Sequence, residues 1–212
     1  MNNWKLSLSL VCLLFFSVQS ASAVTVNFRD RAYRAGDDDP AYSFVVDGIE
    51  VTLSASMGEL EWDSSDGFGI DSRSYEDDEI EGAERLIVTF SQAVALSQIL
   101  ISDLFIEARH GHIYHELGSY SLNGGANVDF EANSWHGNLA LTIPDTLVTE
   151  IVLSAPGILG SGCRRQDHEF SLAGLSFSGS AGPVEVPEPM TLLLLGSGVA
   201  GFAIRKRKLE SF

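Results

Sequence analysis

The stretch Tyr42-Ser43-Phe44-Val45-Val46-Asp47-Gly48-Ile49-Glu50-Val51-Thr52-Leu53 carries the pattern that decides the fold. Ile49, Val51 and Leu53 alternate with polar residues, which places three aliphatic side chains on one face of a half-buried β-strand. Asp-Gly is a preferred pair for the tight turn of a β-hairpin. Residues 42–53 therefore predict two antiparallel strands joined at Asp47-Gly48.

Short apolar stretches separated by turn residues continue along the chain. Further strands are predicted at Val24–Phe28, Glu59–Trp62, Arg85–Phe90, Gln98–Leu104, Ser119–Leu122, Leu139–Ile143, Thr149–Leu153 and Glu169–Phe177. Ser91–Ile99 could be helical, although it also fits a connection between strands. Eight to ten short strands predict an all-β fold, a single β-sandwich of jelly-roll-like type.

The last of these strands contains a break in its alternation. Phe170 and Leu172 share one face, whereas Leu175 and Phe177 have the opposite parity. Gly174 lies between the two pairs and is expected to mark a β-bulge that resets the pattern.

The N-terminus has the three parts of a secretory signal. A short cationic start, Met1–Lys5, precedes the apolar run Leu6–Val18 and the small residues Ala21-Ser22-Ala23. This order predicts a signal peptide at 1–23 that signal peptidase removes before Val24.

The predicted exported domain, residues 24–177, is followed by a linker at 178–186. About 150 residues can bury one core without help from disulfides, and Cys163 is the only cysteine left after the signal is removed. Arg164 and Arg165 could make that thiol reactive, although an inert thiol is the simpler interpretation. Residues 24–182 contain 26 acids, eight arginines and no lysine, a net charge of −18, which argues against nucleic-acid binding.

The C-terminus joins a short motif, an apolar run and a basic cluster. Val186-Pro187-Glu188-Pro189 precedes the uncharged stretch Met190–Ile204, which ends at Arg205-Lys206-Arg207-Lys208. This order predicts a transmembrane helix at 190–204 with the basic tail 205–208 in the cytoplasm and everything before it exported. Such a helix would be about 22 Å long against a hydrocarbon core of about 30 Å, and the flanking cations can compensate by snorkelling.

Residues 187–212 resemble the PEP-CTERM sorting segment of exopolysaccharide-producing bacteria. The resemblance rests on Val186, Pro187, Glu188 and Pro189, their spacing to the apolar run, and the terminal basic cluster. It implies that an exosortase-type membrane protease is a partner and that this protein is its substrate. The expected location is the inner membrane with an exported ectodomain, then the cell envelope or extracellular matrix after processing. A generic membrane anchor is the alternative.

Acidic residues are densest between Glu59 and Glu84. This interval holds eleven carboxylates and one cation, Arg73. Carboxylates packed together are costly unless they are solvated or share a hard cation, and Ca²⁺ takes six to eight oxygen ligands. A calcium site is therefore predicted at Asp77, Asp78, Glu79 and Glu81, and a solvated acidic surface is the alternative.

A second resemblance covers part of the same region. It consists of the segments Gly67-Phe68-Gly69-Ile70, Asp78-Glu79-Ile80-Glu81-Gly82 and Glu84-Arg85-Leu86-Ile87-Val88-Thr89-Phe90. These resemble a block common in ectodomains that carry the same tail, and they support the order of segments rather than an activity.

Histidines cluster in Arg109-His110-Gly111-His112-Ile113-Tyr114-His115-Glu116. On an extended strand His110 and His112 would point the same way, and His115 or Glu116 could complete a zinc site. An exposed polar loop without metal is the favoured interpretation.

Catalytic signatures are missing from the sequence, which contains no Gly-x-Ser-x-Gly elbow, His-Glu-x-x-His pair, phosphate loop or dinucleotide fingerprint. Exposed aromatic rings could serve as sugar platforms. The candidates are Trp135 and, with a core role favoured, Trp62, together with Tyr114 and Tyr120. The sequence thus predicts a non-enzymatic envelope or exopolysaccharide-matrix protein with a structural or adhesive role. A carbohydrate-binding module and, less favoured, a secreted hydrolase are the alternatives.

Overall fold

The computed structural model describes residues 23–72, 78–109, 111–156 and 168–179. Within these ranges the chain is nearly all β, which confirms the all-β prediction, and a short 3₁₀ helix occupies Arg31–Gly36. The strands are β1 Val24–Asn27, β2 Ala41–Val46, β3 Ile49–Ala55, β4 Glu59–Asp63, β5 Gly67–Asp71, β6 Leu86–Ser102, β7 Ile106–Arg109, β8 His112–His115, β9 Leu117–Leu122, β10 Val128–Glu131, β11 Leu139–Ser154 and β12 Ser171–Gly179.

The Asp47-Gly48 hairpin forms as predicted. Val46 pairs with Ile49 across the turn, and Asp47 and Gly48 have φ angles of 50° and 75°. Positive φ at both central residues is the conformation that favours Asp-Gly in a two-residue hairpin turn. Ile49, Val51 and Leu53 are all buried in the core.

Ten strands form one antiparallel sheet. Its main path runs β10-β9-β11-β6-β12-β5-β4, with β1 paired to β12 and β2 joined through β3 to β6. The remaining two strands, β7 and β8, form a separate hairpin.

The long strand β6 connects two parts of this sheet. Its first residues, Leu86–Phe90, pair with β3, whereas Val94–Ser102 pair with β12. The helical alternative for Ser91–Ile99 is wrong, because Val94 and Leu96 continue the two-residue burial pattern of a strand. β11 runs beside β6 and likewise merges two predicted strands, with register shifts between them.

The predicted bulge at Gly174 is present. The register of β12 against β6 shifts between Leu172 and Gly174. Phe170, Leu172, Leu175 and Phe177 are all fully buried despite their opposite parity, and every residue from Ser171 to Phe177 is buried.

Aromatic rings from distant strands meet in the core. Phe130 of β10 lies 5.2 Å from Phe170, just before β12, between ring centroids. Phe28, which follows β1, contacts Phe44 of β2 at 5.9 Å and Phe68 of β5 at 5.6 Å. The core therefore joins strands that are not neighbours in the sheet.

Several predictions fall on residues outside the described ranges. These are residues 1–22 of the signal peptide, Cys163, residues 180–186 of the linker, the sorting motif and the transmembrane segment, together with Asp77 and His110. Ser178 and Gly179, which the sequence prediction assigned to the linker, are part of β12. Among the residues that the structure describes, no helix has the length and apolarity needed to span a membrane.

Candidate functional site

Trp135 is the large aromatic side chain most exposed in the described part of the chain, at 56%. It lies in the loop between β10 and β11, and backbone hydrogen bonds tie this loop to the end of β6 and to β7. Leu104 N–H donates to Gly137 O at 3.0 Å, and Ile106 N–H donates to Ser134 O at 3.2 Å. The indole thus projects from a segment fixed on both sides of it.

Side chains fasten the same loop further. Asn138 donates through Nδ2 to His136 O at 2.8 Å and accepts from the Arg29 guanidinium. Gly137 has φ of 69°, and a Cβ atom there would lie 2.7 Å from the Phe105 ring. Glycine is therefore required at this turn both for its backbone conformation and for its close contact.

The β7–β8 hairpin stands beside the Trp135 loop. His115 Nδ1 donates to Ala132 O at 2.7 Å, which joins the base of the hairpin to the start of the loop. Further out on the hairpin, Ile113 pairs with Ala108 and is 63% exposed. Trp135 and Ile113 are thus two exposed apolar side chains on connected segments.

The histidine alternative gains no support from the described residues. His112 is exposed, and His115 already uses Nδ1 for the Ala132 carbonyl. His110 lies outside the described ranges. Within those ranges no group of three or more His, Cys, Asp or Glu side chains is arranged to hold a metal ion.

A buried carboxyl group lies under the hairpin. Glu116 is only 4% exposed, and its Oε2 accepts from Phe105 N–H at 2.5 Å. The pKa of Glu116 is raised to about 8: burial is the largest cause, the Phe105 hydrogen bond opposes it, and the nearby carboxylates of Glu169, Glu107 and Asp103 add to it. Glu116 is therefore protonated over part of the neutral range.

A second carboxyl group, Glu79, lies in the same acidic environment. Burial raises its pKa to about 10, with further contributions from a hydrogen bond to Asp103 and from the charges of Asp78, Asp103 and Glu169. Glu79 therefore keeps its proton at neutral pH and is hydrogen-bonded to Asp103.

The predicted calcium residues do not share one environment. Asp78 is exposed and Glu79 faces Asp103, whereas Glu81 is buried and donates its backbone N–H to Glu84 Oε2 at 3.0 Å. The calcium site stays a prediction, because Asp77 lies outside the described residues.

Sequence reasoning missed the carboxylates that surround Glu79 and Glu116. Asp103 and Glu107 come from the β6–β7 connection and β7, and Glu169 lies just before β12. Each stands apart from the dense acidic interval, so only the fold brings Asp103 and Glu169 near Glu79 and all three near Glu116. No local pattern in the sequence marks them.

Trp62 has the core role that the sequence favoured. Its ring packs against the core, and Nε1 donates to Phe28 O at 2.6 Å. Tyr120 is half-buried and stacks on Phe130 at 6.5 Å between centroids. Neither ring is a free sugar platform. Tyr114 is half-buried on β8 with its ring 6.2 Å from that of His112 between centroids, which leaves Trp135 as the exposed candidate.

Two of the three segments of the second resemblance, residues 67–70 and 78–82, lie against each other. Ile70 N–H donates to Glu79 O at 3.4 Å. A Cβ atom at Gly69 would lie 1.7 Å from Asp78 O. Ile80 is fully buried and bonds through its N–H to Phe170 O at 2.8 Å.

Comparison with known proteins identifies the C-terminal segment. A family model described as the PEP-CTERM protein-sorting motif matches residues 185–208. The match confirms the resemblance and covers both the Pro-Glu-Pro motif and the basic cluster. No curated protein matches the chain, and no solved structure matches it.

The motif has consequences for where the protein goes. It implies membrane-associated export, processing by an exosortase, and a place in the envelope or outside the cell. Proteins with this signal are generally not enzymes. The match begins at residue 185, after the last strand of the β domain, so the domain's role has to be argued from its own residues.

Proposed function

We propose that this protein is a non-catalytic adhesive or structural module of the cell envelope or the exopolysaccharide matrix. Signal peptidase removes residues 1–23, and residues 190–204 then hold the chain in the inner membrane with Arg205–Lys208 in the cytoplasm. An exosortase-type protease cuts near Pro187-Glu188-Pro189 and releases the β domain to its final location. The sorting motif at 185–208 supports this route.

The domain that is delivered is, in this proposal, a jelly-roll-like β-sandwich. The support is the contact between Phe130 and Phe170 at 5.2 Å, because three strands, β9, β11 and β6, lie between β10 and β12 on the sheet path. Two such strands approach when the sheet folds over and packs against itself around a shared core.

The observation that carries the adhesive role is the exposed Trp135 on its hydrogen-bonded loop. An exposed indole lowers the solubility of the protein, and its exposed face does not contribute to the packing of the core. A rigid aromatic side chain loses little conformational entropy on binding and is a typical anchor of an interface. The flat face of an indole also suits the apolar face of a sugar ring. A carbohydrate-binding module is therefore our first alternative to a general structural or adhesive role.

The test compares Trp135→Ala with Leu147→Ala in retention on the exopolysaccharide of the native host. Leu147 is the matched control, since it is 57% exposed and lies on β11. Loss of Trp135 is expected to weaken retention about tenfold or more, and loss of Leu147 to leave it unchanged. Equal retention of all three proteins would refute an adhesive role for Trp135.

Calcium dependence is a secondary part of the proposal. It is supported by the mutual repulsion among Asp78, Glu79, Asp103 and Glu169, which a divalent cation would relieve. A secreted hydrolase remains the less favoured alternative, and measurable turnover of a glycan substrate would support it.

A further inference from the structure

We propose that a polar cleft on β9, β10 and β11 binds a neutral, hydroxyl-rich ligand such as a saccharide, at a site separate from Trp135. The cleft has a volume of about 460 Å³, within the range of about 300–1,000 Å³ that small-molecule sites occupy. The site is independent of the proposed role of Trp135, because Trp135 does not line it.

The register of the strands places the cleft on the face of the sheet that points away from the core. Gly118 and Phe130 are paired and pack toward Phe170. Their neighbours Ser119 and Asp129 are also paired, and side chains one residue further along a strand point to the opposite face. Ser119 and Asp129 therefore share the face that the cleft occupies.

Hydrogen-bonded serine side chains form the floor of the cleft. Ser119 is only 8% exposed, and its Oγ lies 2.9 Å from Ser154 Oγ and donates to Ser154 O at 3.2 Å. The turn that carries Gly82, Ala83 and Glu84 forms one wall. This turn is closed by the hydrogen bond from Glu84 N–H to Glu81 O at 2.9 Å.

The groups along the walls determine the class of ligand. They combine one guanidinium and one exposed carboxylate, Arg85 and Asp129, with the Asn127 amide and the two serine hydroxyls. This set presents both donors and acceptors, as a ligand rich in hydroxyl groups requires, since each hydroxyl both donates and accepts.

Two other classes of ligand fit the cleft less well. Among the described residues that line it, no side chain is aromatic, so these residues offer a flat apolar ligand no stacking surface. The net charge of −18 over residues 24–182 repels anions, and Arg85 is the only cation among the lining residues that the structure describes.

The test is titration of the full chain, solubilised in a detergent without a sugar headgroup, with cellotetraose, maltotetraose and mannotetraose. At least one of these neutral probes is expected to bind with a Kd of about 1 mM or tighter, and tetragalacturonate, an anionic probe, is expected not to bind. Absence of binding by every neutral probe at 10 mM, or preference for the anionic one, would overturn the proposal.

Three variants locate any binding that is seen. Asp129→Ala removes a wall acceptor on the exposed edge strand, and Ala83→Trp fills the cleft from an exposed turn position. Both are expected to weaken binding at least tenfold with an unchanged melting temperature, whereas Trp135→Ala should leave it unchanged. If only Trp135→Ala abolishes binding, the sugar binds at the Trp135 loop and the cleft proposal is wrong.

Discussion

Glu116 and Glu79 hold protons at pH values where exposed glutamates are ionised. Burial is the larger cause at both residues, and neighbouring carboxylates add to it. In the unfolded chain the ordinary glutamate pKa of 4.5 applies, so the folded state binds these protons more tightly than the unfolded state does. Their contribution to the free energy of unfolding is therefore full below about pH 4.5 and is lost as the pH rises through about 8 for Glu116 and about 10 for Glu79.

Glu116→Gln is expected to make the stability of the domain less dependent on pH. Glutamine keeps an oxygen that accepts from Phe105 N–H but cannot ionise, so the loss of stability between about pH 5 and 8 becomes shallower. Urea unfolding at pH 5, 7 and 9 measures this slope. The control is Glu50→Gln on the exposed face of β3. An unchanged slope in the Glu116 variant would mean that its carboxyl group is not protonated in the fold.

Among the elements of the fold, β5 can approach residues 78–80 because Gly69 has no side chain. Gly69 leaves room for the Asp78 carbonyl, which a Cβ atom would contact at 1.7 Å. The same approach allows Ile70 N–H to reach Glu79 O and holds Glu79 beside its acidic neighbours. Backbone packing at Gly69 thus positions the residues of the acidic group.

Gly69→Ala is expected to destabilise the domain by about 2–4 kcal/mol, because the new methyl group meets backbone that cannot move aside alone. Gly179→Ala is a matched control, since its Cβ atom would meet Ile49 Cδ1 at an ordinary 3.6 Å. Thermal or urea unfolding measures both. A Gly69 variant as stable as the Gly179 variant would contradict the close approach of β5 to Asp78.

For the molecule as a whole, the concentration of negative charge predicts a response to calcium. A cation that binds only the folded state raises stability by mass action, and here it must also displace the proton held by Glu79. Millimolar Ca²⁺ is expected to raise the melting temperature relative to EDTA by about 3 °C or more, with a larger rise at pH 8 than at pH 5. The rise should vanish when Asp77, Asp78, Glu79 and Glu81 are neutralised. An unchanged melt would mean that these acids bind no calcium.

Delivery of the molecule is predicted to depend on the short motif rather than on the apolar run alone. Replacing Pro187-Glu188-Pro189 by three alanines should leave an unprocessed, membrane-held form in the native host. Replacing Gly182-Pro183-Val184 in the linker should not. Immunoblotting of the membrane and extracellular fractions distinguishes the two. Normal processing of the first variant would mean that residues 187–212 act only as a membrane anchor.

The sequence alone determined the features that depend on neighbouring residues. The Asp47-Gly48 turn follows from the φ angles that this pair accepts, and the alternation of Ile49, Val51 and Leu53 follows from the two-residue period of a strand. The sorting motif is likewise local, because a membrane enzyme reads a contiguous segment. The bulge at Gly174 was also readable, since it leaves a change of parity in the sequence.

The tertiary structure alone decided which distant residues meet. It joined the two predicted strands within β6 into one, since Val94 and Leu96 bury their side chains against partners that no local pattern reveals. It brought Asp103 and Glu169 to Glu79, and it paired Ser119 with Asp129 along the cleft. The physical reason is that turns and strand periodicity are set by adjacent residues, whereas burial, raised pKa values and clefts arise from contacts between segments far apart in the chain.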